Sequence, residues 1–169
     1  MSYQVVLAQK EDAKSLLEYL KQVGAETDYL LFDHQGVPMT IEQEETFLST
    51  VNSTPYSRMY LIKDADKVIA NGYIYGSPRA RIGHKFTIAV SVLKTYWGTG
   101  VSQLLMQTLI DYAKSTGFTE SIFLEVVSEN IRAIKLYERF GFKSYGSVSK
   151  AIKLPDRYLD WTLMRLDLC

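Results

Sequence analysis

Val92-Leu93-Lys94-Thr95-Tyr96-Trp97-Gly98-Thr99-Gly100-Val101-Ser102 is the stretch that decides how this chain folds. Its front end closes a β-rich run over residues 85–93, in which Phe86, Ile88, Val90 and Val92 alternate to one side. Its back end opens a helical pattern over residues 98–116. There Val101, Leu104, Leu105, Thr108 and Tyr112 share a face, and Gly117 supplies the stop. A strand thus passes through a tight glycine loop directly into a helix. The N-terminus of a helix presents unpaired N–H groups and a partial positive charge, and glycine lets backbone approach an anion closely. The loop therefore suits a pyrophosphate without needing a lysine. The same Gly-x-Gly also reads as a turn that requires glycine only for its dihedrals. It lacks the Gly-Lys-Ser/Thr ending of a nucleoside-triphosphate loop, and no acidic residue follows in the manner of a dinucleotide fingerprint.

Working outward, residues 3–8 form a strand. Ala13, Leu16, Leu17, Leu20 and Val23 then keep helical spacing as far as Gly24, read here as the helix end. A polar loop holding Glu26, Asp28, Asp33 and His34 leads to Thr40, which with Gln43 makes a capping box for a second helix through Phe47 and Val51. Runs at 59–63 and 67–75 flank Asp64-Ala65-Asp66 as a hairpin, and Ser77-Pro78 turns the chain again. With residues 85–93 this makes three consecutive antiparallel strands. After the glycine loop, residues 121–127 read as a buried strand, Asn130 caps a helix to Phe140, and two strands centre on 144–147 and 158–166. The order is βααβββαβαββ.

The 169 residues, 47% of them apolar, suffice for one continuous core, so residues 1–169 are read as a single domain. No repeat or low-complexity tract interrupts it, and the four prolines are scattered. Lysine plus arginine equals aspartate plus glutamate at 19 each, which gives no reason to expect nucleic acid or an anionic membrane as a partner. The one cysteine, Cys169, allows no intramolecular disulfide, and a reducing cytoplasm is the expected location. The first ten residues lack a basic region followed by an apolar run, and no stretch is long enough to span a bilayer.

Three motifs together carry a family resemblance. These are Val-x-x-x-Tyr-Trp-Gly-x-Gly-Val at Val92 to Val101, Leu124-Glu125-Val126 followed by Asn130, and Leu136-Tyr137-Glu138-Arg139-Phe140-Gly141-Phe142. The run from Val90 to Phe142 resembles the GCN5-related N-acetyltransferase (GNAT) family. The resemblance implies an α/β fold of the α+β kind: a mixed, mostly antiparallel sheet of six to seven strands flanked by about four helices. It also implies acetyl-CoA as co-substrate, no metal, and a homodimer. The implied reaction is direct attack of a primary amine, on a protein N-terminus or a small molecule. Two places depart from the family loop, where Trp97 stands for the usual arginine or glutamine and Ser102 for glycine or alanine. Neither change removes a backbone donor.

By the same resemblance, Val92, Leu93, Trp97, Gly98, Thr99, Gly100, Val101, Ser102, Asn130 and Tyr137 bind the cofactor. The strand ending near Val92 splays from the one holding Leu124, and a bulge there aims the Val92 N–H at the thioester carbonyl, where it stabilises an oxyanion. The Val92 side chain reads simply as core. Asn130 is a helix cap whose side chain also contacts the cofactor arm in the family, two roles asking for different rotamers. Tyr137 occupies the place of the acid that protonates the leaving thiolate; without its motif it reads as a core tyrosine on an amphipathic helix. Glu125 matches the general base of the ribosomal-protein alanine acetyltransferases, and equally reads as the partner of a lysine or arginine. A helix running back along its strand brings Glu125 and Tyr137 to one level. Arg132, Lys135 and Arg139 either approach the cofactor phosphates or form a solvated face. His84 is an alternative base, expected to be exposed near a turn. Glu26, Asp28, Asp33, Asp156 and Asp160 are acids that attract a cationic amine or are simply solvated. A second functional class is a non-catalytic CoA-binding sensor or protein-interaction module; the presence of both Glu125 and Tyr137 favours an enzyme.

Overall fold

Eleven regular elements follow one another in a computed structural model that describes residues 3–168; Cys169 lies outside them. They are β1 (Gln4–Leu7), α1 (Ala13–Glu26), α2 (Ile41–Val51), β2 (Ser57–Asp64), β3 (Lys67–Tyr75), β4 (Lys85–Val92), α3 (Val101–Ser115), β5 (Ser121–Val127), α4 (Ile131–Arg139), β6 (Lys143–Lys153) and β7 (Tyr158–Asp167). The order is the one expected from periodicity. The strands form one sheet in the order β1-β2-β3-β4-β5-β7-β6. All pairings are antiparallel except β4 with β5, which pair parallel over Lys85↔Ser121, Phe86↔Ile122 and Thr87↔Phe123.

Neighbouring residues of β3 show which helices cover which face, because successive side chains of a strand point to opposite sides. A side chain at Gly72 would meet Leu105 and Leu109 of α3. On the opposite side Tyr73 packs edge-on against Phe47 of α2, ring centroids 6.0 Å apart. The Tyr19 hydroxyl of α1 bonds Ser91 Oγ at 2.8 Å, and Ser91 pairs with Asn71 in the register. Helices α1 and α2 therefore cover one face of β2–β4 and α3 the other. Leu16, Leu61, Ile74, Phe86 and Leu105 are fully buried between these layers, each contributing about 1.5–3 kcal/mol of transfer free energy.

Two sequence expectations are corrected by tertiary packing. Gly24 does not end α1, which runs on to Glu26. The glycine is needed because the returning loop presses against it: a Cβ there would lie 2.1 Å from the Asp33 carbonyl oxygen. Gly24→Ala is accordingly expected to destabilise the fold by about 1–3 kcal/mol through overpacking, lowering the melting temperature by about 2–4 °C per kcal/mol. An unchanged melting temperature would mean that the loop gives way freely. The second correction is on α3, whose buried stripe is Val101, Leu105, Met106, Leu109, Ile110 and Ala113, whereas Leu104 is 40% exposed. Thr40 and Gln43 do form the capping box of α2, each side chain bonding the other's backbone N–H, at 3.2 and 2.9 Å.

Candidate functional site

The gap between β4 and β5 follows from register. Pairing of these strands stops at Thr87↔Phe123, although β4 runs on to Val92 and β5 to Val127. Leu93 N–H donates to Ile69 O at 3.0 Å, so Leu93, Ser91 and Ala89 turn their backbone groups toward β3. By the alternation of an antiparallel ladder, Val90 and Val92 turn theirs toward β5. On the other bank Ser128 N–H bonds Asp160 O at 2.9 Å, which by the same alternation turns Glu125 and Val127 toward β4. The expected bulge at Val92 is absent, since Ala70↔Val92 through Tyr75↔Thr87 pair without a register shift. Strand parity alone points the Val92 N–H into the gap. Leu93 beside it is a buried core side chain, 1% exposed.

At the upper end of this gap lies the glycine loop. Gly98 and Gly100 have φ of +75° and +89°, left-handed values that favour glycine, and no atom lies within 4 Å of where either Cβ would stand. The loop borders open space while its own frame is anchored on three sides. Lys94 N–H donates to Glu26 Oε2 at 2.7 Å, the Tyr96 hydroxyl to Asp64 Oδ2 at 2.8 Å, and the Thr99 hydroxyl to Tyr96 O at 2.6 Å. The first intrahelical bond of α3 runs from Leu104 N–H to Gly100 O, so the amides of Val101, Ser102 and the residue after them lack intrahelical partners. Trp97 lies across the loop, its Nε1–H donating to Val92 O at 3.1 Å and the Arg132 guanidinium stacked 3.9 Å from its ring centroid. Partial burial lowers the Arg132 pKa from its ordinary value, and the group remains a cation. The tryptophan that departs from the family pattern thus ties β4, the loop and α4 together.

Asn130 caps α4, its Oδ1 accepting from Ala133 N–H at 3.2 Å. Capping uses the oxygen alone, so the amide nitrogen keeps two donors and the two expected roles do not compete. One face of α4 carries Tyr137 into the core, 7% exposed, with its ring centroid 6.0 Å from that of Phe142. Burial pushes its phenol up to about 12. Its hydroxyl makes no hydrogen bond among the described residues, yet it is not closed off as Asn71 Oδ1 is, and so keeps access to open space. Glu125, in contrast, is exposed between the buried Leu124 and Val126. Thr87 pairs with Phe123, which puts Glu125 on the face of Ala89 and Ser91, the side of α1 and α2. Helix α4 lies beside α3, the two enclosing a hollow lined by Gln107, Ile110, Arg139 and Phe140. Tyr137 and Glu125 therefore stand on opposite faces of the sheet, and meet only through the gap. No ion pair engages Glu125 among the described residues. Lys135 and Arg139 are exposed, and His84 is half-buried rather than exposed.

Of the acids read as amine-attracting or simply solvated, three accept backbone hydrogen bonds. Glu26 anchors the glycine loop, Asp33 Oδ1 accepts from Gln35 N–H at 2.8 Å, and Asp160 Oδ1 accepts from Lys150 N–H at 2.8 Å. Sequence reasoning missed Glu44, which is 4% exposed on α2. Its signal was present: Glu44, Phe47, Leu48 and Val51 have the i, i+3, i+4, i+7 spacing of a buried stripe.

The model of the acetyltransferase (GNAT) domain family matches residues 5–163. This chain belongs to the GNAT acetyltransferase family. Among solved structures, an acetyltransferase of the GNAT family from Streptococcus pneumoniae superposes on 99% of this GNAT chain and 100% of its own with a TM-score of 0.94 and 27% identity. The YncA protein from Salmonella typhimurium, a putative acetyltransferase solved with its cofactor acetyl-CoA, has a TM-score of 0.82 over 100% of this chain and 95% of its own, at 19% identity, a likeness of fold. A probable spermine N(1)-acetyltransferase from Bacillus subtilis subsp. natto is 34% identical over 55 residues, which span 32% of this chain and 36% of that protein. GNAT acetyltransferases use acetyl-CoA, and the site here fits it. The GNAT loop leaves free the space that two β-carbons would fill, offers unpaired helix amides, and opens onto a gap edged by backbone donors. Among the described residues no cluster suits a metal ion, and no helix is long and apolar enough to cross a membrane.

Proposed function

We propose that this GNAT domain moves the acetyl group of acetyl-CoA to a primary amine by direct attack. The observation carrying this reading is the β4–β5 gap, with the Val90 and Val92 amides on its edge and the positive-φ glycine loop at its end. Acetyl-CoA supplies an activated thioester when bound. Gly98, Gly100, Val101 and Ser102 hold its pyrophosphate through backbone N–H groups, with Thr99, whose own N–H turns back to Tyr96 O, Trp97 and the stacked Arg132 alongside. The strand end at Val92 and the free amide of Asn130 line the pantetheine arm, whereas Leu93, with its backbone groups bonded to Ile69 and Tyr96 and its side chain in the core, only backs the strand. The Val92 N–H donates to the acyl oxygen as negative charge develops there, in a place that sheet pairing does not use. Tyr137 carries the proton for the departing sulfur from the α3–α4 side, and Glu125 accepts the proton of the amine from the α1–α2 side. The absence of a cationic partner for Glu125 among the described residues favours a base over an ion pair. The acceptor is read as a small-molecule amine, a reading supported by the likeness to the probable spermine N(1)-acetyltransferase of Bacillus. A homodimer and a cytoplasmic location belong to the same reading, the former supported by Tyr145 and Val148 of β6, 54% and 40% exposed.

Acetyl-CoA is expected to raise the melting temperature, and ATP and NAD are not. A ligand that binds only the folded state stabilises it by about 2.7 kcal/mol at one hundred times its dissociation constant. Equal stabilisation by all three would remove the cofactor assignment, and absence of amine-dependent thiol release with acetyl-CoA bound would turn the reading toward a non-catalytic module.

A further inference from the structure

On the α1–α2 face a cavity of about 320 Å³ runs across the sheet. It begins at α2 and β2, with Glu44 and Met59, passes over Asn71 and Tyr73 of β3, and ends at Val90 and Ser91 of β4, the bank of the gap. The walls are otherwise almost wholly apolar, with Leu20 and Phe47 among them. Besides the hydroxyls of Tyr73 and Ser91, two polar side chains break this surface, Glu44 and Asn71. Glu44 is 4% exposed, and no hydrogen bond or ion pair to its carboxylate occurs among the described residues. Asn71 Oδ1 is buried without a hydrogen-bond partner. Both are acceptors: Asn71 Oδ1 is closed off without a partner, while the unpaired Glu44 carboxylate lines the cavity and keeps access to its space, where a ligand can supply the donor. Desolvation holds the Glu44 carboxyl above its ordinary pKa, the mark of an anion that lacks a cation.

We propose that this cavity binds the acceptor as an α,ω-diamine with an apolar spacer: one amine at the β4–β5 gap, the spacer against the apolar walls, and the second ammonium on Glu44 with Asn71 Oδ1 beside it. The inference rests on the acyl-transfer reading of the gap. One carboxylate at the far end serves one distal cation. A monoamine of the same length leaves Glu44 unpaired, and a tetra-amine such as spermine must desolvate internal ammonium groups against leucine and phenylalanine. Selectivity thus resides in the number and spacing of charges rather than in total positive charge.

The test compares 1,6-diaminohexane, hexylamine and spermine as acceptors with acetyl-CoA, reading thiol release, and measures binding of the same amines by calorimetry with CoA present. The wild type is expected to favour 1,6-diaminohexane over each of the others by about tenfold or more in kcat/KM, the size of one charge-assisted hydrogen bond. Glu44→Gln, which keeps the shape, is expected to raise the KM for the diamine about 10- to 100-fold, leave hexylamine unchanged and erase the preference. Glu42→Gln, on the exposed first turn of α2, should change nothing. Glu44→Gln should also raise the melting temperature at pH 8, since it removes a desolvated charge; a residue needed only for packing would lower it. A preference retained in Glu44→Gln, or a wild type that favours hexylamine or spermine, overturns the proposal while leaving acyl transfer intact. Glu44-dependent diamine binding without thiol release keeps the pocket and removes the transfer reading. Absence of diamine binding overturns the pocket.

Discussion

Tyr137→Phe is expected to lower the turnover number by about 10²- to 10⁴-fold while leaving acetyl-CoA affinity nearly unchanged. The substitution deletes one hydroxyl and keeps the ring that packs against Phe142, so the melting temperature should hold. The lower end of the range is favoured by the raised phenol. At about 12, its proton is held about 3 to 4 pK units more tightly than that of a free thiol. Full transfer becomes favourable only as charge builds on a sulfur that is itself desolvated. A hydrogen bond to that sulfur is then much of what the hydroxyl contributes. The pH dependence has a definite sign. A phenol raised on folding favours the native state fully below its unfolded pKa near 10, and that contribution is lost as pH rises from 10 through about 12. The variant should therefore be less sensitive to alkaline denaturation in that window, and neutral-pH turnover should show no limb from Tyr137. Wild-type turnover in the variant would end its role as acid, and a fall in melting temperature with normal activity per folded molecule would make it a packing residue.

Gly100→Val should raise the acetyl-CoA dissociation constant by about 10- to 100-fold. Gly100 has φ of +89° and faces open space, so an added Cβ meets no atom beyond its chain neighbours. Its cost has two other sources. A β-branched residue held in the left-handed region costs about 1–3 kcal/mol, and the new side chain occupies the space that a phosphate would take. Relaxation of the strain swings the first amides of α3 away, and each lost charge-assisted bond is worth about 1.5–3 kcal/mol. Calorimetry on the folded variant measures the affinity, and thermal denaturation isolates the strain. An unchanged dissociation constant would mean that the pyrophosphate is held elsewhere.

Most element boundaries could be read without coordinates because they depend on neighbours along the chain. Thr40 and Gln43 make their capping box within one turn, Gly117 takes the positive φ that ends α3, and Asn130 caps α4 through the amide three residues on. The glycine loop is of this kind too, as strand and helix meet there in sequence. Facing is a different matter. Leu104 keeps helical spacing with Leu105, yet which of them is buried depends on where β3 lies, and Gly72 of β3 receives Leu105. Gly24 looks like a stop until the Asp33 carbonyl is packed against it.

The site divides along the same line. The glycine loop and the open helix amides behind it were legible in the sequence, because helix amides and glycine dihedrals are local properties. The splay of β4 from β5 was expected only by resemblance, and the residue pattern could not place its start after Thr87 and Phe123 or put Tyr137 and Glu125 on opposite faces of the sheet. Nor could it separate Glu44, unpaired in an apolar cavity, from Glu26, spent on the Lys94 amide. Only tertiary structure decided these, since the state of a buried charge depends on groups that are distant in the chain and adjacent in the fold.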